Sequence, residues 1–214
     1  MKSIKVENTP GYNYWLFLPE GYGKEQQVEW PTILFLHGAG ERGDNLNLVR
    51  KYGPPKIAGE FENFPFIVIA PQCPKGKIWA DNLLVDLLDT ALSRYKIDEN
   101  RIYATGVSMG GAGVWNLAIR HPDRFAAIAP ICGYGDPSQV LPLLKVPVWV
   151  FHGAKDIVIP VLESERMVKA LKNYGGRVQL TIYSESGHAE AWEIAYRDWS
   201  TYEWLLQHKR HNTL

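Results

Sequence analysis

Short runs of apolar residues recur along the chain, separated at regular intervals by proline and glycine. The first is Tyr14-Trp15-Leu16-Phe17-Leu18, closed by Pro19 and a glycine-rich turn; the second is Thr32-Ile33-Leu34-Phe35-Leu36. Further runs are Phe66 to Ala70, Ile102 to Thr105, Ala126 to Ala129, Val148 to Phe151 and Gln179 to Tyr183. A strand that is apolar at every position is covered on both faces, which is the condition of a parallel sheet packed between helices. Between the runs the apolar positions change period. Leu83, Leu84, Leu87, Leu88 and Leu92 recur at helical spacing, as do Val114, Leu117 and Ala118 within Ala112 to Arg120. The segments Val161 to Leu171 and Ala191 to Leu206 behave in the same way. This order predicts a doubly wound α/β fold with a mostly parallel central sheet and helices on both faces. No helix is predicted between the earliest strands, so these are expected to be antiparallel.

The chain has 214 residues, 46% hydrophobic and 21% charged, which suits one domain over 1–214. Lysine plus arginine equals aspartate plus glutamate at 23 each, so no field is available to attract nucleic acid or anionic lipid. The basic cluster Gln207-His208-Lys209-Arg210-His211 reads as a frayed tail from about residue 207. Met1 to Asn8 lacks the apolar core of a signal peptide, and no run reaches the length of about 18 apolar residues that a membrane span needs. The expectation is a soluble, cytoplasmic protein with neither membrane nor nucleic acid as partner. Cys73 and Cys132 each follow a predicted buried strand and read as reduced, buried thiols.

Candidate chemistry begins directly after the strand that ends at Thr105. Gly106-Val107-Ser108-Met109-Gly110-Gly111 is a G-x-S-x-G motif set between strand and helix. A sharp turn there exposes the serine hydroxyl, and side chains at 106 and 110 would collide with the neighbouring strand and helix. The competing reading is a glycine-rich turn with a capping serine. Gly111-Ala112-Gly113 does not continue as a dinucleotide loop, because Asn116 stands where the third glycine belongs.

A serine hydroxyl needs a base to take its proton and an acid to orient that base. Behind such an elbow the chain order is acid, then histidine. His152-Gly153-Ala154-Lys155-Asp156-Ile157-Val158-Ile159-Pro160 places Asp156 on a loop at a strand's C-terminal end, and Asp123 and Asp136 are weaker rivals. Ser186-Gly187-His188-Ala189 follows the last strand, which makes His188 the base. His37 and His152 each precede a glycine at a strand end and are expected to shape loops by hydrogen bonding. No cluster has metal-ligand spacing, so no metal is expected. A developing oxyanion requires aimed donors. One is the N–H of Met109; the second is that of Ala39 in His37-Gly38-Ala39-Gly40-Glu41-Arg42-Gly43-Asp44, with Gly38 and Gly40 as alternatives. That loop lacks the Gly-Lys-Ser/Thr ending of a phosphate cradle.

The loop from Leu36 to Gly43, the Gly106-to-Gly111 elbow, His152-Gly153-x-x-Asp156-x-x-x-Pro160 and Gly187-His188 together resemble the α/β-hydrolase superfamily. More narrowly, residues 14–206 are similar to small lidless esterases of the carboxylesterase, feruloyl-esterase-like and polyhydroxybutyrate-depolymerase-like branches. The resemblance implies an eight-stranded sheet, an acyl-enzyme at Ser108, water activated through His188, and no cofactor. Dienelactone hydrolases share the fold but carry cysteine at the elbow, so Ser108 argues against them.

The segment between Ile131 and Val148 is too short for a large cap domain, so the site is expected to be open and to take short acyl, aryl or acylated-sugar esters. Trp79 and Trp192 fall near active-edge loops, where they would either stack on a substrate ring or pack into the core. Glu41, Arg42 and Asp44 would meet a polar substrate group or pair with one another. A peptidase with the same triad and a catalytically inactive binding protein are the alternatives. The oligomeric state is not legible in the sequence.

Overall fold

The computed structural model describes residues 1–24 and 27–210. Its strands are β1 (Lys2–Val6), β2 (Tyr14–Leu18), β3 (Trp30–Leu36), β4 (Ile67–Pro71), β5 (Ile97–Val107), β6 (Ala127–Ile131), β7 (Val148–Gly153) and β8 (Val178–Tyr183). They form one sheet in the order β1-β2-β4-β3-β5-β6-β7-β8. The helices are α1 (Gly53–Glu60), α2 (Asp81–Arg94), α3 (Met109–Arg120), α4 (Val161–Asn173), α5 (His188–Arg197) and α6 (Ser200–Leu206).

Strand alternation divides the core into two layers. In β3, Leu34 and Leu36 join the cluster under α2, α3 and α4, which includes Leu84, Leu88, Trp115 and Leu171. Ile33 and Phe35 point the other way, into the cluster with Ile57, Ala191, Tyr196 and Tyr202 of α1, α5 and α6. Both faces are therefore dry, which is why the strands read as unbroken apolar runs.

β2 is antiparallel to β1 and β4, as the early pattern predicts. The expectation fails for Thr32 to Leu36, because β3 runs parallel to both β4 and β5. The reason is α1, which lies in the β3-to-β4 connection and lets the chain cross over. Its first residues, Gly53-Pro54-Pro55, read as helix breakers, yet proline is tolerated in a helix's opening turn, where its missing N–H has no partner to lose. β1 escaped the pattern because it is an edge strand with exposed Lys2, Ser3 and Lys5. The single helix expected over Ala191 to Leu206 is two: the chain breaks at Asp198, whose carboxylate accepts the N–H of Ser200, the first residue of α6, at 3.0 Å.

The C-terminal segment also differs from expectation. The Tyr103 hydroxyl donates to the His208 carbonyl and the Arg210 N–H to the Asn100 carbonyl, each at 2.8 Å, so the chain is tied to the fold as far as Arg210. His211 lies outside the described residues. Between β6 and β7 the chain makes only two short 3-10 turns, Pro137–Gln139 and Leu141–Lys145, with no cap. Among the described residues no helix is long and apolar enough to cross a membrane. The C-terminal ends of β3, β5, β7 and β8, all parallel, open onto one edge of the sheet.

Candidate active site

Ser108 stands between β5 and α3 with φ 55° and ψ −119°, a backbone conformation that a residue with a side chain adopts at a cost of about 1–3 kcal/mol. Two constraints hold it there. Its N–H donates to the Ile131 carbonyl at 3.0 Å, and the glycines around it let backbones touch. A Cβ on Gly110 would lie 1.9 Å from the Leu36 carbonyl oxygen, and one on Gly106 would lie 2.6 Å from the same atom. The turn thus exists because β3, β5 and α3 meet where no side chain fits.

From the serine a chain of hydrogen bonds runs to a buried acid. His188 Nε2 is 2.9 Å from Ser108 Oγ, and His188 Nδ1 is 2.5 Å from Asp156 Oδ2. The Nδ1–H donates to the carboxylate, which leaves Nε2 free to accept from the serine. Asp156 Oδ1 accepts the N–H groups of Val158 and Ile159, each at 2.9 Å. Burial acts to raise the Asp156 carboxyl, but the His188 bond and these N–H donors outweigh it and hold the group below the ordinary carboxylate range. The rivals are elsewhere: Asp136 binds Ser138 and Gln139 beside its own turn, and Asp123 lies in a 3-10 turn after α3.

The loop after β3 is set by two side chains. His37, fully buried, donates from Nδ1 to the Gly38 carbonyl at 2.6 Å and accepts the Cys73 N–H on Nε2 at 2.9 Å, as a neutral ring. Burial pushes its pKa down to about 4. Tyr52, which the sequence reading passed over, accepts the Gly38 N–H at 3.1 Å and donates its hydroxyl to the Glu41 carboxylate. Burial and the Glu41 charge push the Tyr52 phenol upward. Gly38 is therefore removed as an oxyanion donor, since its N–H is already taken. The loop sits directly against the serine: a Cβ on Gly38 would be 3.6 Å from Ser108 Cβ. Met109 opens α3, where an N–H has no carbonyl four residues back to bind.

Of the expected substrate contacts, Trp192 lies at the site, half-buried, its ring edge-on to His188 at 4.9 Å and tilted against Tyr52 at 5.6 Å. Trp79 does not. It is buried behind the loop, donates its indole N–H to the His37 carbonyl at 3.2 Å and packs against Tyr12, His37 and Gly113, so its ring has no free face to stack on a substrate. Glu41 lines the loop with its carboxylate held by Tyr52. Arg42 does not pair with Glu41 or Asp44; it donates to the backbone carbonyls of Ala39 and Lys77.

A second pair of groups surrounds the acid. His152 and Cys132 are fully buried, and their ring nitrogen and sulfur lie within 4.8 Å of an Asp156 oxygen. This spacing could accommodate a metal, yet the donors are engaged: Asp156 by the Val158 and Ile159 N–H groups and His188, His152 by Ser164 and Ile159, and the Cys132 thiol by the His188 carbonyl. Burial pushes that thiol up to about 12, so it remains protonated. Both cysteines are free and buried, as the sequence reading has them.

Residues 71–198, which contain the serine, the aspartate and the histidine, match the dienelactone hydrolase family. A carboxymethylenebutenolidase-like protein of Salmonella typhimurium is 26% identical over 144 residues, covering 61% of this chain and 51% of its own. The chain thus spans about half the length of the curated relatives it first matches. A thermostable esterase of known structure is 34% identical, with a TM-score of 0.79 over 98% of this chain and 62% of its own. A ferulic acid esterase shares the fold at a TM-score of 0.71 and 18% identity, covering 95% of this chain and 96% of its own. The family match overturns the inference that Ser108 argues against dienelactone hydrolases: the likeness extends over strands, helices and loops from β4 to α5, and the atom at the tip of the elbow does not decide it.

Proposed function

Given that the chain belongs to the dienelactone hydrolase family, we propose that it hydrolyses carboxylic esters through a serine acyl-enzyme, with Ser108 as nucleophile, His188 as general base and Asp156 as orienting acid. The observation that carries this reading is the unbroken relay from Ser108 Oγ through His188 to Asp156, with contacts of 2.9 and 2.5 Å. As Ser108 Oγ attacks the ester carbonyl, its proton passes to His188 Nε2, and the imidazolium so formed faces the Asp156 charge. The carbonyl oxygen becomes an oxyanion, which the N–H groups of Met109 and Ala39 stabilise. His188 then gives its proton to the leaving alcohol. A water enters, loses its proton to His188 and attacks the acyl carbonyl, releasing the acid and restoring the serine. The chemistry is complete without a cofactor.

The substrate is a small molecule whose acyl or alcohol part rests against Trp192 and Glu41 at an open edge. The lack of a cap between β6 and β7 favours short acyl, aryl or acylated-sugar esters. All eight strands of the described residues join one sheet, which supports a single domain. The test is hydrolysis of p-nitrophenyl acetate by the wild type and Ser108→Ala, with circular dichroism on both. The expected result is a loss of at least about 10³-fold in a folded variant. Equal turnover by the two proteins would reject the serine mechanism.

A further inference from the structure

The loop after β3 can offer an N–H to an oxyanion only if its peptide groups are turned the right way, and side chains set two of them. In the peptide that joins His37 to Gly38, the carbonyl accepts the Trp79 indole N–H at 3.2 Å and the N–H donates to the Tyr52 hydroxyl at 3.1 Å. In the next peptide, the Gly38 carbonyl accepts from His37 Nδ1 at 2.6 Å. The Cys73 N–H donates to Nε2 of the same ring at 2.9 Å, so the ring proton is on Nδ1. Both peptides are trans, and a trans peptide points its C=O and its N–H in opposite directions. With the Gly38 carbonyl turned to the buried His37 ring, the Ala39 N–H is turned away from it. Ala39 is exposed and opens the 3-10 turn Ala39–Glu41, where the first N–H has no partner within the turn.

We propose that Tyr52 is a positioning residue for the serine reaction: its hydroxyl fixes the His37–Gly38 peptide, and with it the orientation in which the Ala39 N–H receives the oxyanion. The inference rests on the serine-hydrolase reading and adds a group that reading leaves out. The single hydroxyl proton goes to the Glu41 carboxylate, so the oxygen meets the Gly38 N–H with a lone pair. The pair stands beside the nucleophile. A Cβ on Gly38 would lie 3.4 Å from the Tyr52 hydroxyl oxygen, 3.5 Å from Glu41 Oε2 and 3.6 Å from Ser108 Cβ. The Tyr52 ring is itself held, edge-on to Phe35 of β3 at 6.0 Å and tilted against Trp192 at 5.6 Å, and its backbone immediately precedes α1. His37 grips the loop from inside the fold and Tyr52 grips it from the side of the site. Gly38 joins the two held peptides, and a glycine turns freely once one grip is lost.

The experiment compares Tyr52→Phe with the wild type, since Phe keeps the ring against Phe35 and Trp192 and removes only the hydroxyl. It measures kcat and KM for p-nitrophenyl acetate, the inhibition constant of trifluoroacetophenone, and hydrogen exchange of the Gly38 amide by NMR. Trifluoroacetophenone reports on the oxyanion. Ser108 Oγ bonds to its carbonyl carbon, the carbonyl π pair moves onto oxygen, the serine proton passes to His188, and no group leaves. Tyr52→Phe is expected to lower kcat about 10- to 100-fold, to leave KM within about twofold, and to weaken trifluoroacetophenone by the same factor as kcat. The Gly38 amide, stripped of its acceptor, exchanges faster. A folded Tyr52→Phe with wild-type kcat overturns the proposal. A lower kcat with unchanged trifluoroacetophenone affinity does so too, as does an inhibition constant that rises only in step with KM, the marks of a packing role. If the Phe variant does not fold, Glu41→Ala, which leaves the Tyr52 hydroxyl without its acceptor, takes its place, and wild-type kcat and inhibitor affinity in it overturn the proposal. If the wild type cleaves no ester, the functional reading fails separately and exchange decides: a Gly38 amide no faster in Tyr52→Phe, or in Glu41→Ala should the Phe variant not fold, overturns the positioning role.

Discussion

The elbow and the rim of the site lie on the same edge of the sheet and are built in opposite ways. At the elbow, backbone meets backbone: Gly106 and Gly110 leave no room for a single carbon, and Ser108 is held in a conformation that needs both. The rim carries large apolar side chains that touch little. Ile78 is 71% exposed, Tyr134 48%, Ile157 96% and Val158 64%, in the loops after β4, β6 and β7. The geometry of the elbow is thus set by close-packed main chain, whereas the exposed rim beside it is made of side chains with freedom to change.

The largest effect expected from this contrast is at Gly110. Gly110→Ala forces a carbon against the Leu36 carbonyl and is expected to lose about 3 kcal/mol or more of stability, read as the urea midpoint. Gly40→Ala, on the exposed side of the same edge with nothing within 4 Å, is expected to stay within about 0.5 kcal/mol. Similar midpoints for the two variants would break the comparison.

A second effect, smaller, separates the buried support from the rim by pH. His37 holds its proton in the folded protein only below a pKa of about 4, against an ordinary value of 6.5. Between those values the unfolded chain binds a proton that the folded chain does not. Its contribution is therefore complete above about pH 6.5 and is lost as pH falls through 4, a slope worth about 3 kcal/mol in all. Urea midpoints measured over this window in the wild type and His37→Gln should show the slope only in the first. The depressed Asp156 carboxyl acts in the same direction at lower pH, below the ordinary carboxylate value of 3.8. A slope retained in His37→Gln would assign the acid sensitivity elsewhere.

The smallest effect belongs to the rim. Ile157→Ser should leave the urea midpoint within about 0.5 kcal/mol, because the side chain buries almost nothing. Its KM for p-nitrophenyl butyrate should rise by about two- to fivefold relative to acetate, the loss of one partial apolar contact. An unchanged ratio between the two esters would mean that this part of the rim does not select.

The groups proposed to react were legible as candidates because their chemistry is local. G-x-S-x-G between a strand and a helix, an aspartate and then a histidine at strand ends, are patterns of residue type and spacing, and they lead to Ser108, Asp156 and His188. Tyr52 was not legible: nothing in Lys51-Tyr52-Gly53 indicates that its hydroxyl meets both the Gly38 N–H and Glu41. The same limit left the reading of Trp79 open between substrate and core, since exposure is not written in the residue type, and a tryptophan next to an active loop can stand behind it as well as in front. β1 and α1 were missed for a different reason. One is an exposed edge strand and the other begins with Gly-Pro-Pro, so neither shows the apolar period that marks a buried element.

The sequence by itself determined that the sheet is mostly parallel, that helices cover both faces, and which residues carry the proposed reaction, because apolar periodicity and turn sterics act over a few neighbouring positions. Only the tertiary structure decided which of the remaining polar groups support them. Ser108 and His188 are 80 residues apart and meet because β3 inserts between β4 and β5 and all the later strands run parallel to one edge. The same sheet order buries His152 against Asp156 and Ser164 and seats Tyr52 on the loop after β3. Such meetings depend on where distant strands pack, and no short-range pattern encodes them.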